Sequence, residues 1–187
     1  MEISNSMEEK LRLILPTAEY REQIAAYRQE FLDAGDSMDG TGPLRRLADP
    51  MEWLAATAQC SRADTVPNGW VQATQFLCIR ETDDRVVGMI QVRHRFNAFL
   101  KEYGGHIGYS VRPSERRKGY ASWMLNAVKP FCREIGLSAI MVTCLTKNDF
   151  SRRVILKNGG VYDATVHEPM DNCRIERYWI RLGNKAF

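Results

Sequence analysis

Apolar residues recur at helical spacing near the start of this chain and alternate with polar residues further along. The first pattern predicts a helix over residues 18–34, and shorter apolar runs predict helices over 44–48 and 50–60. The stripe of the first helix consists of Tyr20, Ile24, Tyr27, Phe31 and Leu32. We therefore predict a mainly helical N-terminal part over residues 1–70.

Segments rich in β-branched and aromatic residues follow, and they predict a sheet. Residues 74–81 and 85–94 are joined by a short polar triplet, which is typical of an antiparallel hairpin. The later strands are predicted over residues 106–111, 139–144, 161–169 and 173–182. We expect the sheet and its helices, over residues 71–187, to complete a single domain of residues 1–187.

Composition and charge narrow the class of protein. The 187 residues are 44% hydrophobic and 26% charged, which is typical of one globular core. The net charge of +3 is too small for a dedicated nucleic-acid-binding face. Five widely spaced cysteines without a C-x-x-C pair indicate reduced thiols and no metal site, with Cys78 and Cys144 in the core. No apolar run is typical of a signal peptide or membrane span, so a cytoplasmic location without membrane partner is expected.

The segment VRPSERRKGYA, residues 111–121, places a cationic turn between a predicted strand and an amphipathic helix over residues 120–135. The first amides of a helix have no partner within it, and the helix dipole leaves partial positive charge there. Gly119 lets an anion approach the main chain, and four cations against Glu115 give the turn a local charge of +3. The turn therefore predicts a pyrophosphate site, with a solvated basic loop as the alternative.

Two motifs carry a family resemblance. Residues 116–121, RRKGYA, resemble the acyl-CoA-binding motif of the GNAT superfamily of N-acyltransferases. Residues 148–160, NDFSRRVILKNGG, are similar to the Asn-x-x-Ser/Ala helix that follows it in that superfamily. By order of elements the resemblance spans about residues 74–182.

The resemblance implies an α+β fold, with a mixed, mostly antiparallel central sheet flanked by helices, and two neighbouring strands that splay apart to admit acetyl-CoA. The strand 106–111 would pair with the pantetheine arm and the turn would bind the pyrophosphate, with Asn148 and Ser151 beside the arm. Asn148 as a helix cap, and Ser151 bonded to its own helix, are structural alternatives. The cofactor-binding residues implied in this way are Tyr109, Ser110, Val111, Arg116, Arg117, Lys118, Gly119, Tyr120, Ala121, Asn148 and Ser151.

The implied reaction is direct transfer of an acetyl group from acetyl-CoA to an amine, which requires a base, an oxyanion donor and an acid for the thiolate. His106 is the leading base, since imidazole titrates near neutral pH. Glu102 is second and His94 third; each histidine has a structural alternative, and water could relay the proton. Backbone amides near Gly108 and Tyr109 are the expected oxyanion donors if this strand carries the superfamily's bulge.

One departure from the superfamily concerns the general acid. Its usual tyrosine is replaced here by Ile155, and Tyr162 and Tyr109 are the substitutes that the sequence offers. A non-catalytic acyl-CoA-binding sensor is therefore the alternative to an N-acetyltransferase, and a nucleic-acid-binding module ranks third. The loop 95–105 and the N-terminal part are candidates to line the site of an amine-bearing acceptor, a small molecule or a peptide. The alternatives are a loop packed by its own aromatic residues and helices that only cover one face of the sheet. A homodimer is an open option.

Overall fold

A computed structural model describes residues 10–183, which form a seven-stranded sheet with helices on both faces. The strands are β1 Leu11–Ile14, β2 Ala73–Arg80, β3 Arg85–Arg93, β4 Ile107–Val111, β5 Ala139–Leu145, β6 Val161–Glu168 and β7 Cys173–Arg181. The helices are α1 Arg21–Asp33, α2 Pro50–Cys60, α3 Tyr120–Ala127, α4 Lys129–Glu134 and α5 Asp149–Lys157. The first nine residues of the predicted N-terminal part and the last four residues of the chain lie outside the described residues.

The strand order of the sheet is β1-β2-β3-β4-β5-β7-β6. β4 and β5 run parallel, whereas the other neighbouring pairs run antiparallel. This confirms the predicted α+β fold with a mixed, mostly antiparallel sheet and the predicted hairpin of β2 and β3. The register of β4 and β5 consists of one pair, Ile107 with Val142, at the start of β4. The two strands therefore diverge beyond this pair and leave a gap in the sheet.

Two apolar layers hold the helices to the sheet. Because successive strand residues point to opposite faces, Cys78 packs in one layer, whereas Leu77 and Ile79 pack in the other. The first layer contains buried residues of α3, α4 and α5, and the second contains those of α1 and α2. The predicted stripe of α1 is buried in the second layer, as expected from its helical spacing.

The structure differs from the sequence prediction in the N-terminal part. Residues 11–14 form β1, which pairs with β2 and adds a strand to the part predicted as mainly helical. Residues 44–46 are turns, residues 47 and 48 are irregular, and the helix predicted over 44–48 does not form. Arg28 donates hydrogen bonds to the carbonyl oxygens of Leu44 and Arg45, and Pro50 disfavours helical backbone at the residue before it.

The amphipathic helix predicted over residues 120–135 is divided into α3 and α4 at Val128. Pro130 lies in the first turn of α4, where its missing N–H removes a helical hydrogen bond. The apolar spacing nevertheless continues across the break, because Leu125 and Cys132 are both fully buried in the same layer. Among the described residues, no helix is long and apolar enough to cross a membrane.

The five cysteines are free thiols, and four of them, including Cys78 and Cys144, are buried. Burial raises the pKa of Cys78 to about 12 and that of Cys144 to about 11. Both thiols are therefore protonated at neutral pH and act as small core residues.

Candidate active site

The first cavity lies in the gap between β4 and β5 and has a volume of about 760 Å³. It is bounded by β4, the turn of residues 112–119 and the first turns of α3 and α5. Of the eleven residues predicted to bind the cofactor, Lys118 does not line this cavity. The ten that do are Tyr109, Ser110, Val111, Arg116, Arg117, Gly119, Tyr120, Ala121, Asn148 and Ser151.

Gly119 is the N-cap of α3 at the wall of the first cavity. Its φ of 86° lies in the left-handed region that favours glycine, and an added Cβ would meet no atom of residues 10–183 within 4 Å. The space beside this residue is therefore open. Since the first amides of α3 lack partners within the helix and carry the positive end of its dipole, this open space suits a phosphate group.

Three of the four cations of the turn are already paired with carboxylates of the protein, and in one of these pairs Nε of Arg112 lies 2.9 Å from Oε2 of Glu30. Nη1 of Arg116 lies 2.7 Å from Oδ2 of Asp36, and this hydrogen bond lowers the pKa of Asp36. Nζ of Lys118 lies 2.7 Å from Oε2 of Glu115, which also accepts from Arg80 at 2.7 Å. Burial acts to raise the pKa of Glu115, but the hydrogen bonds from Arg80 and Lys118 outweigh it and lower the pKa. An ionised, buried Glu115 thus anchors the turn.

Arg117 is the cation of the turn without a carboxylate partner among residues 10–183. Its backbone φ is 66°, and its guanidinium carbon lies 5.9 Å from the centre of the Phe150 ring. Both residues line the first cavity. The local charge of +3 expected from the sequence is therefore largely offset by neighbouring carboxylates, and Arg117 is the cation of the turn whose charge a phosphate would meet.

The end of β4 presents backbone groups to the gap. The Arg112 amide donates to β3, and hydrogen bonds alternate along an antiparallel pair, so the amides of Gly108 and Ser110 also face β3. Those of Tyr109 and Val111 face the gap. The register of β3 and β4 shows no bulge. Of the two amides expected to stabilise an oxyanion, that of Tyr109 therefore faces the first cavity and that of Gly108 does not.

Two hydroxyl groups meet where β4 faces α5. The Oη of Tyr109 lies 2.8 Å from the Oγ of Ser151, and burial raises the pKa of Tyr109, so this phenol is protonated at neutral pH. Asn148 caps α5 by accepting from the Ser151 amide at 3.0 Å, and it also lines the first cavity. Tyr162, the other substitute acid, is 55% exposed and lines neither cavity.

A second cavity of about 440 Å³ lies between the sheet and the loop of residues 36–43. Asp39 lines both cavities, so the two adjoin at this residue. Gly40 has a φ of 70°, and a Cβ added to it would lie 2.1 Å from the carbonyl oxygen of Gly108. The loop therefore lies directly against β4, and this close approach requires glycine.

The loop of residues 36–43 is held by buried hydrogen bonds. Nε2 of Gln75 donates to the carbonyl oxygen of Gly40 at 2.8 Å, and Nε1 of Trp53 donates to that of Thr41 at 2.7 Å. Gln75 belongs to β2 and Trp53 to α2. The sheet and the second helix thus fix the loop at the junction of the cavities.

His106, predicted as the leading base, is buried outside both cavities. Its Nδ1 accepts from the Met141 amide at 2.9 Å, and its ring centre lies 4.0 Å from that of Phe96. Burial, followed by the charge of Arg93, lowers the pKa of His106 to about 4. The hydrogen bond assigns the proton of the neutral ring to Nε2, so the ring has no free lone pair. This geometry favours a structural role.

The other two predicted bases also lie outside both cavities. Glu102 is in a π-helical turn, Leu100–Gly104, and pairs with Arg177 at 3.1 Å. Nε2 of His94 lies 2.9 Å from the hydroxyl of Thr74, and burial lowers the pKa of His94. The structure therefore does not bring the predicted bases together with the predicted cofactor site.

Two carboxylates that reach the first cavity were not predicted from the sequence. Asp36 and Asp39 belong to a segment whose sequence indicates turns, and no spacing within it indicates chemistry. Phe150 was also missed, although it directly follows the first residue of α5. The one available signal was the presence of two acidic residues in a glycine-rich loop.

Residues 44–159 match the model of the Acetyltransferase (GNAT) family, which is more than half of the chain. The chain therefore belongs to the GNAT acetyltransferase family. It is an acyltransferase, and acetyl-CoA is its acyl donor. No curated protein sequence matches the chain significantly.

Solved structures share the fold over nearly the whole chain. The ribosomal-protein-S5-alanine acetyltransferase from Vibrio fischeri has a TM-score of 0.72 and 15% identity, over 94% of this chain and 95% of that chain. The microcin C7 self-immunity acetyltransferase MccE, solved with acetyl-CoA and AMP, has a TM-score of 0.69 and 14% identity, over 93% of both chains. RimJ from Mycobacterium smegmatis, solved with CoA-disulfide, has a TM-score of 0.69 and 15% identity, over 91% of this chain and 81% of that chain. Because the identities are low, this structural similarity shows a shared fold alone.

Proposed function

We propose that this protein moves an acetyl group directly from acetyl-CoA to the amine of an acceptor, a small molecule or a peptide, held in the second cavity. This proposal rests on one observation: the two cavities meet at Asp39, next to the point where the loop contacts the Gly108–Tyr109 peptide. Direct transfer needs the thioester and the amine in contact, and positioning of this kind supplies much of the catalytic effect. The junction provides one place where both can lie.

The first cavity would hold acetyl-CoA mainly through main-chain groups of the protein. The open space at Gly119 and the charge of Arg117 suit the pyrophosphate. The gap-facing amides and carbonyl groups of Tyr109 and Val111 suit the amide groups of the pantetheine arm. The residues present therefore fit this acyl donor, whose thioester would then lie beside the junction.

Two groups at the junction would act on the acceptor side of the reaction. The Tyr109 amide faces the gap and would stabilise the oxyanion that forms when the amine attacks the thioester carbon. The Asp39 carboxylate accepts a hydrogen bond from Ser37 at 2.9 Å and has no cationic partner within ion-pair distance among residues 10–183. Asp39 would accept the amine proton, directly or through water. His106 and Glu102 remain predictions from sequence.

The paired hydroxyls of Tyr109 and Ser151 would act on the leaving group. As the carbon–sulfur bond breaks, one hydroxyl would donate its proton to the thiolate. The other would stabilise the resulting oxygen through the 2.8 Å hydrogen bond between the two groups. Ile155, which occupies the position of the superfamily's usual tyrosine, is fully buried in the core and cannot take this role. The hydroxyl pair would therefore replace the general acid that the superfamily's usual tyrosine supplies.

Release of free CoA from acetyl-CoA in the presence of primary amines tests this proposal. We expect amine-dependent release, a decrease of about 10- to 100-fold in kcat for Tyr109→Phe, and a larger decrease for Asp39→Asn. Both variants should bind acetyl-CoA with unchanged affinity. Tight acetyl-CoA binding with no release for any amine would favour the acyl-CoA sensor instead.

A further inference from the structure

The second cavity contains one cation without a carboxylate partner. Arg93 is the last residue of β3, and its Nη1 donates to the carbonyl oxygen of Gly104 at 2.9 Å. No carboxylate lies within ion-pair distance of its guanidinium in the part of the chain that the structure describes. Burial lowers the pKa of Arg93 to about 10, so the group is still charged at neutral pH.

The guanidinium of Arg93 lies close to the junction of the cavities. A Cβ built on Gly108 would be 3.2 Å from Nη2 of Arg93 and 2.9 Å from the amide nitrogen of Gly40. Gly40 directly follows Asp39, and the charge of Asp39 acts on Arg93. The two charged residues that line the second cavity therefore have opposite signs and are not paired with each other, and Arg93 lies beside the backbone that follows Asp39.

The rest of the second cavity is apolar or uncharged. Its walls include Met38, Pro43, Val71 and Leu100, and its exposed aromatic side chains are Trp70 and Phe99. A cation in such surroundings is unfavourable unless an anion compensates it. A carboxylate is a suitable partner, because it accepts two parallel hydrogen bonds from a guanidinium.

We propose that the acceptor is a free amino acid with an apolar side chain, whose carboxylate binds Arg93 and whose amine lies beside Asp39. The inference rests on the proposed acetyl transfer and specifies its substrate class. In an amino acid the two charged groups are separated by one carbon, so one small ligand can offer an anion to Arg93 and an ammonium group to Asp39 within the same cavity. A polyamine, or a lysine side chain of a protein, would bring a second cation or no anion to Arg93.

Matched acceptors test this inference without any mutation. We would compare L-phenylalanine with L-phenylalaninamide, which keeps the shape without the anion, and with phenethylamine, which lacks the carboxyl carbon. We expect kcat/KM for L-phenylalanine to exceed that of either by about 100-fold, since an unpaired buried cation penalises a neutral analogue. Equal or faster acetylation of the neutral analogues, or of spermidine, would overturn the inference and leave the proposed transfer intact.

The variant Arg93→Gln tests the residue itself, with Arg93→Lys as the charge-preserving control. Arg93→Gln should raise KM for L-phenylalanine at least about tenfold and abolish the preference over phenethylamine. Arg93→Lys should retain part of that preference. A purely structural role would instead impair both acceptors equally, and acetyl-CoA affinity monitors folding in each variant.

Direct binding separates this inference from the transfer reaction. Calorimetry with CoA-saturated protein should show L-phenylalanine binding more tightly than L-phenylalaninamide or phenethylamine, even if no product forms. Weaker or equal binding of L-phenylalanine would overturn the inference. Its tighter binding without acetylation would support the amino-acid site and contradict the proposed transfer.

Discussion

The two cavities on either side of the junction are built differently. The first is formed mainly by β4, the turn before α3 and the first turns of α3 and α5, all within residues 109–154, and Asp36 and Asp39 reach it from the N-terminal part. The second is formed by side chains from a loop, α2 and the sheet, which are far apart in sequence. Backbone sites need few particular side chains, so they recur as short motifs. Side-chain sites vary with the acceptor and carry the specificity.

The largest expected effect is a loss of acetyl-CoA affinity when a carboxylate is introduced in the first cavity, compared with the same substitution elsewhere in the molecule. Gly119→Asp would place a carboxylate in the phosphate space, and we expect acetyl-CoA affinity to fall by at least about 100-fold. Gly136→Asp is the control, because Gly136 has a similar φ of 89° and equally open surroundings, outside both cavities. Calorimetry on both variants measures the effect. Equal losses in the two would show that strain, and not the phosphate site, is responsible.

The next largest effect concerns the junction. In Gly40→Ala the new methyl group would meet the Gly108 carbonyl oxygen at 2.1 Å, so the loop must move away from β4. We expect kcat for acetyl transfer to fall by about 100-fold, because misplacement of the loop disturbs the alignment of donor and acceptor. Acetyl-CoA affinity should change little.

Gly35→Ala is the matched control for this variant, since Gly35 directly precedes the same loop and has a φ of 61°, but no atom of the described residues lies within 4 Å of an added Cβ. Its kcat should stay close to that of the wild type. If Gly40→Ala retained full activity, the loop would not shape the transfer site.

His106 lines neither cavity, so we expect it to affect the stability of the fold and not the transfer reaction. Its folded pKa of about 4 is below the ordinary value of 6.5, so the unfolded state binds the proton first and stability falls with acidification between these values. Between pH 8 and pH 5 this residue alone should cost about 2 kcal/mol. Denaturant unfolding of His106→Asn should show a correspondingly smaller decrease.

The same variant addresses the role that the sequence suggested for His106. The amide oxygen of asparagine can replace Nδ1 as an acceptor for the Met141 amide, so the local structure is retained. We expect acetyl transfer at pH 7 to change less than about threefold. A decrease of about 100-fold or more would restore His106 as the base.

The smallest expected change in acetyl-CoA affinity distinguishes two neighbouring cations of the turn. Arg117→Ala should raise the Kd for acetyl-CoA about tenfold, because Arg117 has no carboxylate partner in residues 10–183. Lys118→Ala should raise it only about twofold, since Lys118 is paired with Glu115 and lies outside the first cavity. Titrations at low and high salt measure both. The reverse order would mean that Lys118 leaves Glu115 to meet the ligand.

The sequence predicted the first cavity better than the second for a physical reason. The strand β4, Gly119 and the cap at Asn148 depend on local backbone geometry, which short motifs encode. The roles of Asp39, Gly40 and Arg93 depend on how a loop packs against distant strands, and nothing in their own neighbourhood indicates this. His106 was assigned as a base from its place in the chain, whereas its protonation depends on burial beside Phe96 and Arg93.

The edges of the fold were hard to predict for a similar reason. β1 has four residues and pairs with one neighbour, so its sequence carries little strand signal. The break at Val128 preserves the helical spacing of apolar residues, and only Pro130 marks it. The central strands β2 and β3 were predicted almost residue for residue, because burial of their apolar side chains selects β-branched and apolar sequence.

The central claim is that the first cavity binds acetyl-CoA through the turn before α3. Calorimetric titration of the wild-type protein with acetyl-CoA, with ATP and desulfo-CoA as comparison ligands, tests it most directly. The account predicts tight binding of acetyl-CoA, comparable binding of desulfo-CoA, which keeps the pyrophosphate, and weak binding of ATP, which lacks the pantetheine arm. Absence of acetyl-CoA binding, or equal binding of ATP, would contradict it.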